Sequence, residues 1–130
     1  MKLAILTCVH GRPHLTKAVL DWTARVAAQC PFEVALFAVG SEGDTSRALV
    51  ESYGWNYLDH ANQPLSEKFQ AGLSYIGETT GVDAVMVLGS DDLVTRELLV
   101  AAVEAMTRSV DLWGLSDAFF LAPGPRSISG

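Results

Sequence analysis

Four times in this chain a short apolar run is followed by a longer stretch whose apolar residues recur every three or four positions, and that alternation narrows the fold more than any other feature. Leu3–Thr7 and Glu33–Val39 are apolar on both faces, and Val82–Leu88 is the most continuously apolar piece of all. Strands buried in a parallel sheet have this character. Trp55–Asp59 reads as a shorter strand between them. The first helical stretch opens at Pro13, which suits a first turn because its missing N–H has no partner there anyway. Its expected core stripe is Leu15, Ala18, Val19, Trp22 and Val26, and Pro31 ends it. A second helix is expected from Asp44 or Thr45 to Tyr53, with Asp44 as N-cap and Gly54 as a left-handed stop. The third begins at Pro64, with Leu65, Phe69, Gly72 and Ile76 on one side. The fourth is capped by Thr95 and carries Leu98, Leu99, Ala102, Val103 and Met106 toward the core. Leu112–Leu121 reads as one broken strand or two short ones.

Strand and helix in alternation build βαβ units, and their crossovers are right-handed. The first three strands therefore build outward and the fourth returns beside the first. The expected architecture is an α/β fold, a three-layer αβα sandwich around a mostly parallel, Rossmann-like sheet. The reversal of strand order leaves a crevice at the carboxyl ends of the strands, where open α/β sheets bind ligands. The polar segments Cys8–His14, Gly40–Asp44, His60–Gln63 and Gly89–Asp92 all fall there.

Composition limits what that crevice can meet. The 130 residues form a single domain, with 9 Lys+Arg against 15 Asp+Glu and a net charge of −6. Nucleic acid and anionic membrane are poor partners for such a balance, because phosphate binding on those surfaces is driven by Lys and Arg. An acidic protein that binds phosphate needs help from a divalent cation. The two cysteines, Cys8 and Cys30, have no zinc-ligand spacing and read as reduced thiols, which with the lack of a signal peptide points to the cytoplasm. The longest apolar runs, Ala84–Leu88 and Leu98–Val103, fall far short of the ~20 residues that span a bilayer. A mean hydropathy of +0.24 leaves apolar surface for a partner, such as a second copy in a homo-oligomer.

Three segments can carry chemistry. At the end of the fourth strand, Asp91 and Asp92 follow Gly89 and Ser90. Adjacent carboxylates repel unless a cation sits beside them, and hard oxygen ligands select Mg²⁺ or Mn²⁺. The same two acids can instead cap the following helix. After the first strand, Arg12 can pair bidentately with a phosphate or carboxylate, and His10 or His14 can hydrogen-bond a ligand. Gly11 and Pro13 between the histidines speak against a regular helical zinc site. In Leu65–Gly72, Lys68 either reaches the crevice or extends to solvent. A G-x-G-x-x-G opening, a P-loop and a G-x-S-x-G elbow are all absent, which disfavours dinucleotide-binding, P-loop and α/β-hydrolase readings.

Taken in order, the turn to Arg12-Pro13, the turn Gly40–Asp44, the stretch Lys68-Phe69-Gln70-Ala71-Gly72 and the strand end Val87–Asp92 resemble the nucleotide-sugar-binding half of a GT-A fold glycosyltransferase of the family-2 type. The resemblance spans residues 2 to about 121. It implies a nucleoside-diphosphate-sugar donor, contacted by Thr7, Val9, Arg12, Glu42, Lys68, Gly89 and Ser90. It also implies Mn²⁺ or Mg²⁺ on Asp91 and Asp92, and sugar transfer to an acceptor the sequence does not identify. Gly89-Ser90-Asp91 stands where the family has Asp-x-Asp, Val9 where an aromatic residue is usual, and Gly40-Ser41 where paired acids are usual, leaving Glu42 to read a base edge. Asp117 is the late carboxylate available as acceptor-activating base, so the resemblance implies a domain of residues 1–130 that lacks the acceptor-binding part. Two other readings stay open: a nucleotidyltransferase, and a non-catalytic Mg²⁺- or nucleotide-binding module.

Overall fold

The computed structural model describes residues 2–62, 65–78, 81–89, 93–107, 112–114 and 119–121. In chain order the elements are β1 (Lys2–Cys8), α1 (Pro13–Ala28), β2 (Glu33–Gly40), α2 (Asp44–Ser52), β3 (Asn56–Asp59), α3 (Leu65–Gly77), β4 (Ala84–Leu88), α4 (Arg96–Thr107), β5 (Leu112–Gly114) and β6 (Phe119–Leu121). They form one sheet of order β3-β2-β1-β4-β6-β5. The first four strands in that order are parallel, with Cys8 opposite Val39, Gly40 opposite Asp59 and Thr7 opposite Leu88. The fourth strand thus returns beside the first, as expected from right-handed crossovers. The broken segment resolves into two short strands, β6 antiparallel to β4 and β5 antiparallel to β6.

Alternation along β1 divides the core into two layers. Leu3, Ile5 and Val9 pack with Leu20 and Val26 of α1, Val50 of α2, and Leu99 and Ala102 of α4. Ala4, Leu6 and Cys8 face the other way, against Ile76 and the half-buried Phe69 and Leu73 of α3. Helices on both faces cover the parallel strands, so the expected three-layer αβα architecture holds. Gly72 lets α3 approach closely. A Cβ there would stand 2.7 Å from Leu6 Cδ1 and 2.9 Å from Val39 Cγ2. No described helix is long and apolar enough to cross a membrane.

Two local expectations are corrected. The buried stripe of α1 is Thr16, Val19, Leu20, Thr23 and Val26. Leu15 and Ala18 are exposed, and Trp22 is 45% exposed. The indole explains the rotation: its Nε1–H donates to the Val94 carbonyl at 2.6 Å, so the ring lies along the edge of the core where its polar end finds a partner. The N-cap of α2 is Gly43, at φ 59°, and Asp44 is the first helical residue instead. An acid there still favours the positive helix end.

Other signals read as expected. Gly54 ends α2 at φ 82°. Thr95 caps α4, its Oγ1 accepting the Leu98 N–H at 3.1 Å. Thr95→Ala should therefore lower stability by about 1 kcal/mol, read as a shift in the urea midpoint with unchanged slope.

Candidate functional site

The site grows from the carboxyl ends of β1, β2 and β3. After β1 the chain stays in register for one more residue, the Val9 N–H donating to the Val39 carbonyl at 2.8 Å. It then turns sharply through Gly11 and Arg12, both left-handed, at φ 59° and 43°. That conformation costs a residue with a Cβ about 1–2 kcal/mol, and Arg12 adopts it as the N-cap of α1. The turn holds the exposed Arg12 and His10 at the strand ends.

The loop after β2 meets this turn. Gly40 is the last residue of β2, and a Cβ on it would lie 2.7 Å from Ser46 Cβ and from Tyr57 Cε1 and Oη. Only glycine lets α2 and β3 close to this distance. The Glu42 N–H donates to Ser46 Oγ at 3.1 Å, while the Glu42 carboxylate accepts the Gly11 N–H at 3.0 Å. The two loops are thereby joined. Behind them, Asp59 Oδ1 accepts the Gly43 N–H at 3.1 Å and the Tyr57 hydroxyl at 2.6 Å. The Arg47 guanidinium lies over the Tyr57 ring, 4.9 Å from its centroid. The Tyr57 hydrogen bond is the chief cause that holds the Asp59 carboxyl below its ordinary range. Burial first, and then bonding to Asp59, pushes the Tyr57 phenol up to about 12.

Between these loops lies a pocket of about 110 Å³ lined by Val9, His10, Gly11, Pro13, Thr16, Glu42, Thr45, Ser46 and Leu49. Clefts for drug-sized ligands run to ~300–1,000 Å³, so this one has room for about a single ring. Its lining is mostly apolar, and the Glu42 carboxylate is its one charged acceptor.

The expected site residues divide clearly. Val9 and Glu42 line the pocket, and Arg12 stands between Gly11 and Pro13 of its lining. Gly89 is exposed just beyond β4, next to β1 in the sheet. Thr7 does not meet the crevice: it is wholly buried within the sheet, between Ala38 and Leu88. Lys68 does reach the carboxyl edge of the sheet, at the loops after β1 and β3, without lining the pocket and without extending to solvent. Its side chain is fully enclosed, with Nζ donating to the Val9 carbonyl at 2.8 Å and to Asn62 Oδ1 at 2.9 Å. Burial lowers its pKa, against the raising influence of Cys8, Glu42 and Asp59. Burial pushes the neighbouring Cys8 thiol up to about 11, with the Lys68 charge opposing. His14 is exposed in the first turn of α1. Ser90, Asp91, Asp92 and Asp117 lie outside the described residues. Among the described residues no group of three or more His, Cys, Asp or Glu is placed to hold a metal ion.

Sequence reasoning missed Thr16, Thr45, Ser46 and Leu49, which line the pocket from α1 and α2. A signal existed in Gly40, because a glycine at a strand end announces a close neighbour. It did not say which.

Comparison with known proteins places the fold. No family model matches the chain, and no curated protein matches it. Solved structures do. A protein from Desulfovibrio desulfuricans G20 assigned as a nucleotide-diphospho-sugar transferase superposes with a TM-score of 0.66 at 14% identity, over 92% of this chain and 63% of that one. Residues 1–349 of Staphylococcus aureus TarS, also solved with UDP, give 0.64 at 16% identity, over 87% of this chain and 34% of that one. Rv0371c of Mycobacterium tuberculosis, in a manganese complex, gives 0.67 at 12% identity, over 94% and 71%. A CMP:2-keto-3-deoxy-manno-octonic acid synthetase bound to CTP also shares the fold. This chain thus spans between about a third and two-thirds of the first two. The α/β fold is one that these transferase and synthetase structures share.

Proposed function

We propose that this chain is the donor-binding part of a GT-A-type glycosyltransferase, holding a nucleoside-diphosphate sugar at the carboxyl edge of its sheet. The observation that carries the reading is the small apolar pocket between the loops after β1 and β2, with the Glu42 carboxylate in its wall. A nucleobase suits it: one flat ring against Val9 and Leu49, with a ring N–H toward Glu42. Arg12 and Gly89, on the loops after β1 and β4, flank the way to the diphosphate. Mn²⁺ or Mg²⁺ on Asp91 and Asp92 would neutralise that diphosphate, which a chain of net charge −6 has few other means to do. The sugar then passes to an acceptor held by another part of the protein or by a second copy, with Asp117 as the candidate base within this chain. The exposed Leu15, Trp22 and Leu93 offer apolar surface for such a partner. Free Cys8 and Cys30 fit a cytoplasmic protein.

Calorimetric titration with UDP, GDP and their sugars tests the reading. Mn²⁺ should strengthen binding on the order of tenfold, and Asp91→Ala should abolish that gain. Binding indifferent to metal removes the cation from the site, and no binding at all removes the donor. A nucleotidyltransferase, the activity in keeping with the CTP-bound match, would instead bind CTP or UTP tightly and release pyrophosphate. Against it stands the loop after β1, only Val9–Arg12, with no glycine-rich basic segment to wrap a triphosphate. Release of free UDP or GDP from the sugar donor separates transfer from mere binding.

A further inference from the structure

Lys68 is the largest fully enclosed side chain among the described residues. Lysine is almost never buried completely, because removing its ammonium from water is costly. A methionine would fill the same space without that cost, so packing does not account for the residue. Its hydrogen bonds do. From α3, on one face of the sheet, Nζ reaches the Val9 carbonyl, which lies 59 residues away in sequence, and the Asn62 side chain in the loop after β3. The pocket's helical walls, α1 and α2, belong to the opposite face, and Lys68 is not among its lining residues. Val9 is among them, and its N–H is held by Val39. Both backbone groups of the pocket wall are therefore fixed, one by β2 and the other by Lys68.

We propose that Lys68 is a positioning residue for the nucleobase pocket, fastening the Val9–Gly11 wall to the loop after β3 so that the base meets a preformed surface. This rests on the donor-site reading above. A lysine that touched the diphosphate would act differently from one that holds the wall, and uridine separates the two. Lys68→Met should weaken uridine and UDP by the same factor, about tenfold, leave the gain from Mn²⁺ unchanged, and speed hydrogen exchange at the Val9 and Gly11 amides. Lys68→Arg, which keeps donors for both acceptors, should recover most of the affinity. Should Lys68→Met fail to fold, Asn62→Ala removes one of the two contacts and should show the same equal loss in smaller measure. If UDP weakens while uridine does not, Lys68 is a ligand contact and the proposal falls. It falls equally if affinity and amide exchange both stay as in the wild type. If the wild-type protein binds neither UDP nor GDP, the donor site itself is lost, and amide exchange alone then decides whether Lys68 fastens the wall.

Discussion

Raising the pH from 9 to 12 should lower the stability of the folded chain by a few kcal/mol, with about 5 kcal/mol as the ceiling before any offset. Two buried groups are responsible. The Cys8 thiol is held up at about 11 and the Tyr57 phenol at about 12, against ordinary values of 9.0 and 10.0. In each interval the unfolded chain has released a proton that the native protein still carries, so unfolding is favoured as the pH climbs. Two units correspond to about 2.7 kcal/mol for each group. Lys68 works in the opposite sense. Its pKa is lowered on folding, so just below its ordinary 10.5 the unfolded chain holds the extra proton and stability rises with pH there. Urea midpoints at intervals from pH 8 to pH 12 measure the balance. Cys8→Ala should flatten the decline between pH 9 and 11, and Tyr57→Phe should flatten it between pH 10 and 12. A wild-type protein whose midpoint ignores pH over this range would contradict the burial of both groups.

Gly40→Ala should cost about 3 kcal/mol, near the upper end for an overpacked site. The added methyl meets Ser46 Cβ and two atoms of Tyr57 at 2.7 Å each, and neither neighbour can yield cheaply. Ser46 is buried in the first turns of α2, and the Tyr57 ring is fixed by Asp59 at one end and by Arg47 across its face. Backbone strain plays no part, since Gly40 lies in β2 paired with Asp59 of β3 and is not among the positive-φ glycines. Because Ser46 lines the pocket, the same variant should bind UDP more weakly as α2 is pushed outward. A variant with wild-type stability would mean that β3 and α2 sit further apart than the distances above.

The layout of the sheet was legible in the sequence because period and punctuation agree. Apolar runs give strands, spacings of three and four give helices, and Thr95 and Gly54 mark helix ends through hydrogen bonding and backbone freedom alone. Alternation also implied where β4 would return. What failed was the choice of face for α1. Leu15 and Trp22 are more apolar than Thr16 and Thr23, yet the threonines are buried, because the indole N–H had to find a carbonyl 72 residues away. No local pattern encodes that partner. Lys68 is an intermediate case. It stands four residues before Gly72 and eight before Ile76, on the apolar stripe itself, so its burial was readable from spacing. Its acceptors, Val9 and Asn62, were not, since they depend on two loops converging on α3. The acids at residues 91 and 92 could be recognised as a motif, while the Glu42–Gly11 bond that joins two loops could not.

That bond also sets terms of admission. The carboxylate of Glu42 and the amide of Gly11 satisfy each other across the mouth of the pocket. A guest that separates them replaces both contacts only if it offers a hydrogen to the first and a lone pair to the second, side by side; any other guest leaves these exposed groups to water. Neighbouring N–H and C=O groups on the rim of a flat heterocycle meet that requirement, as in uracil or guanine. A plain hydrocarbon ring of the same size offers neither, so under the donor-site proposal the pair would favour the heterocycle where shape alone would let either pass.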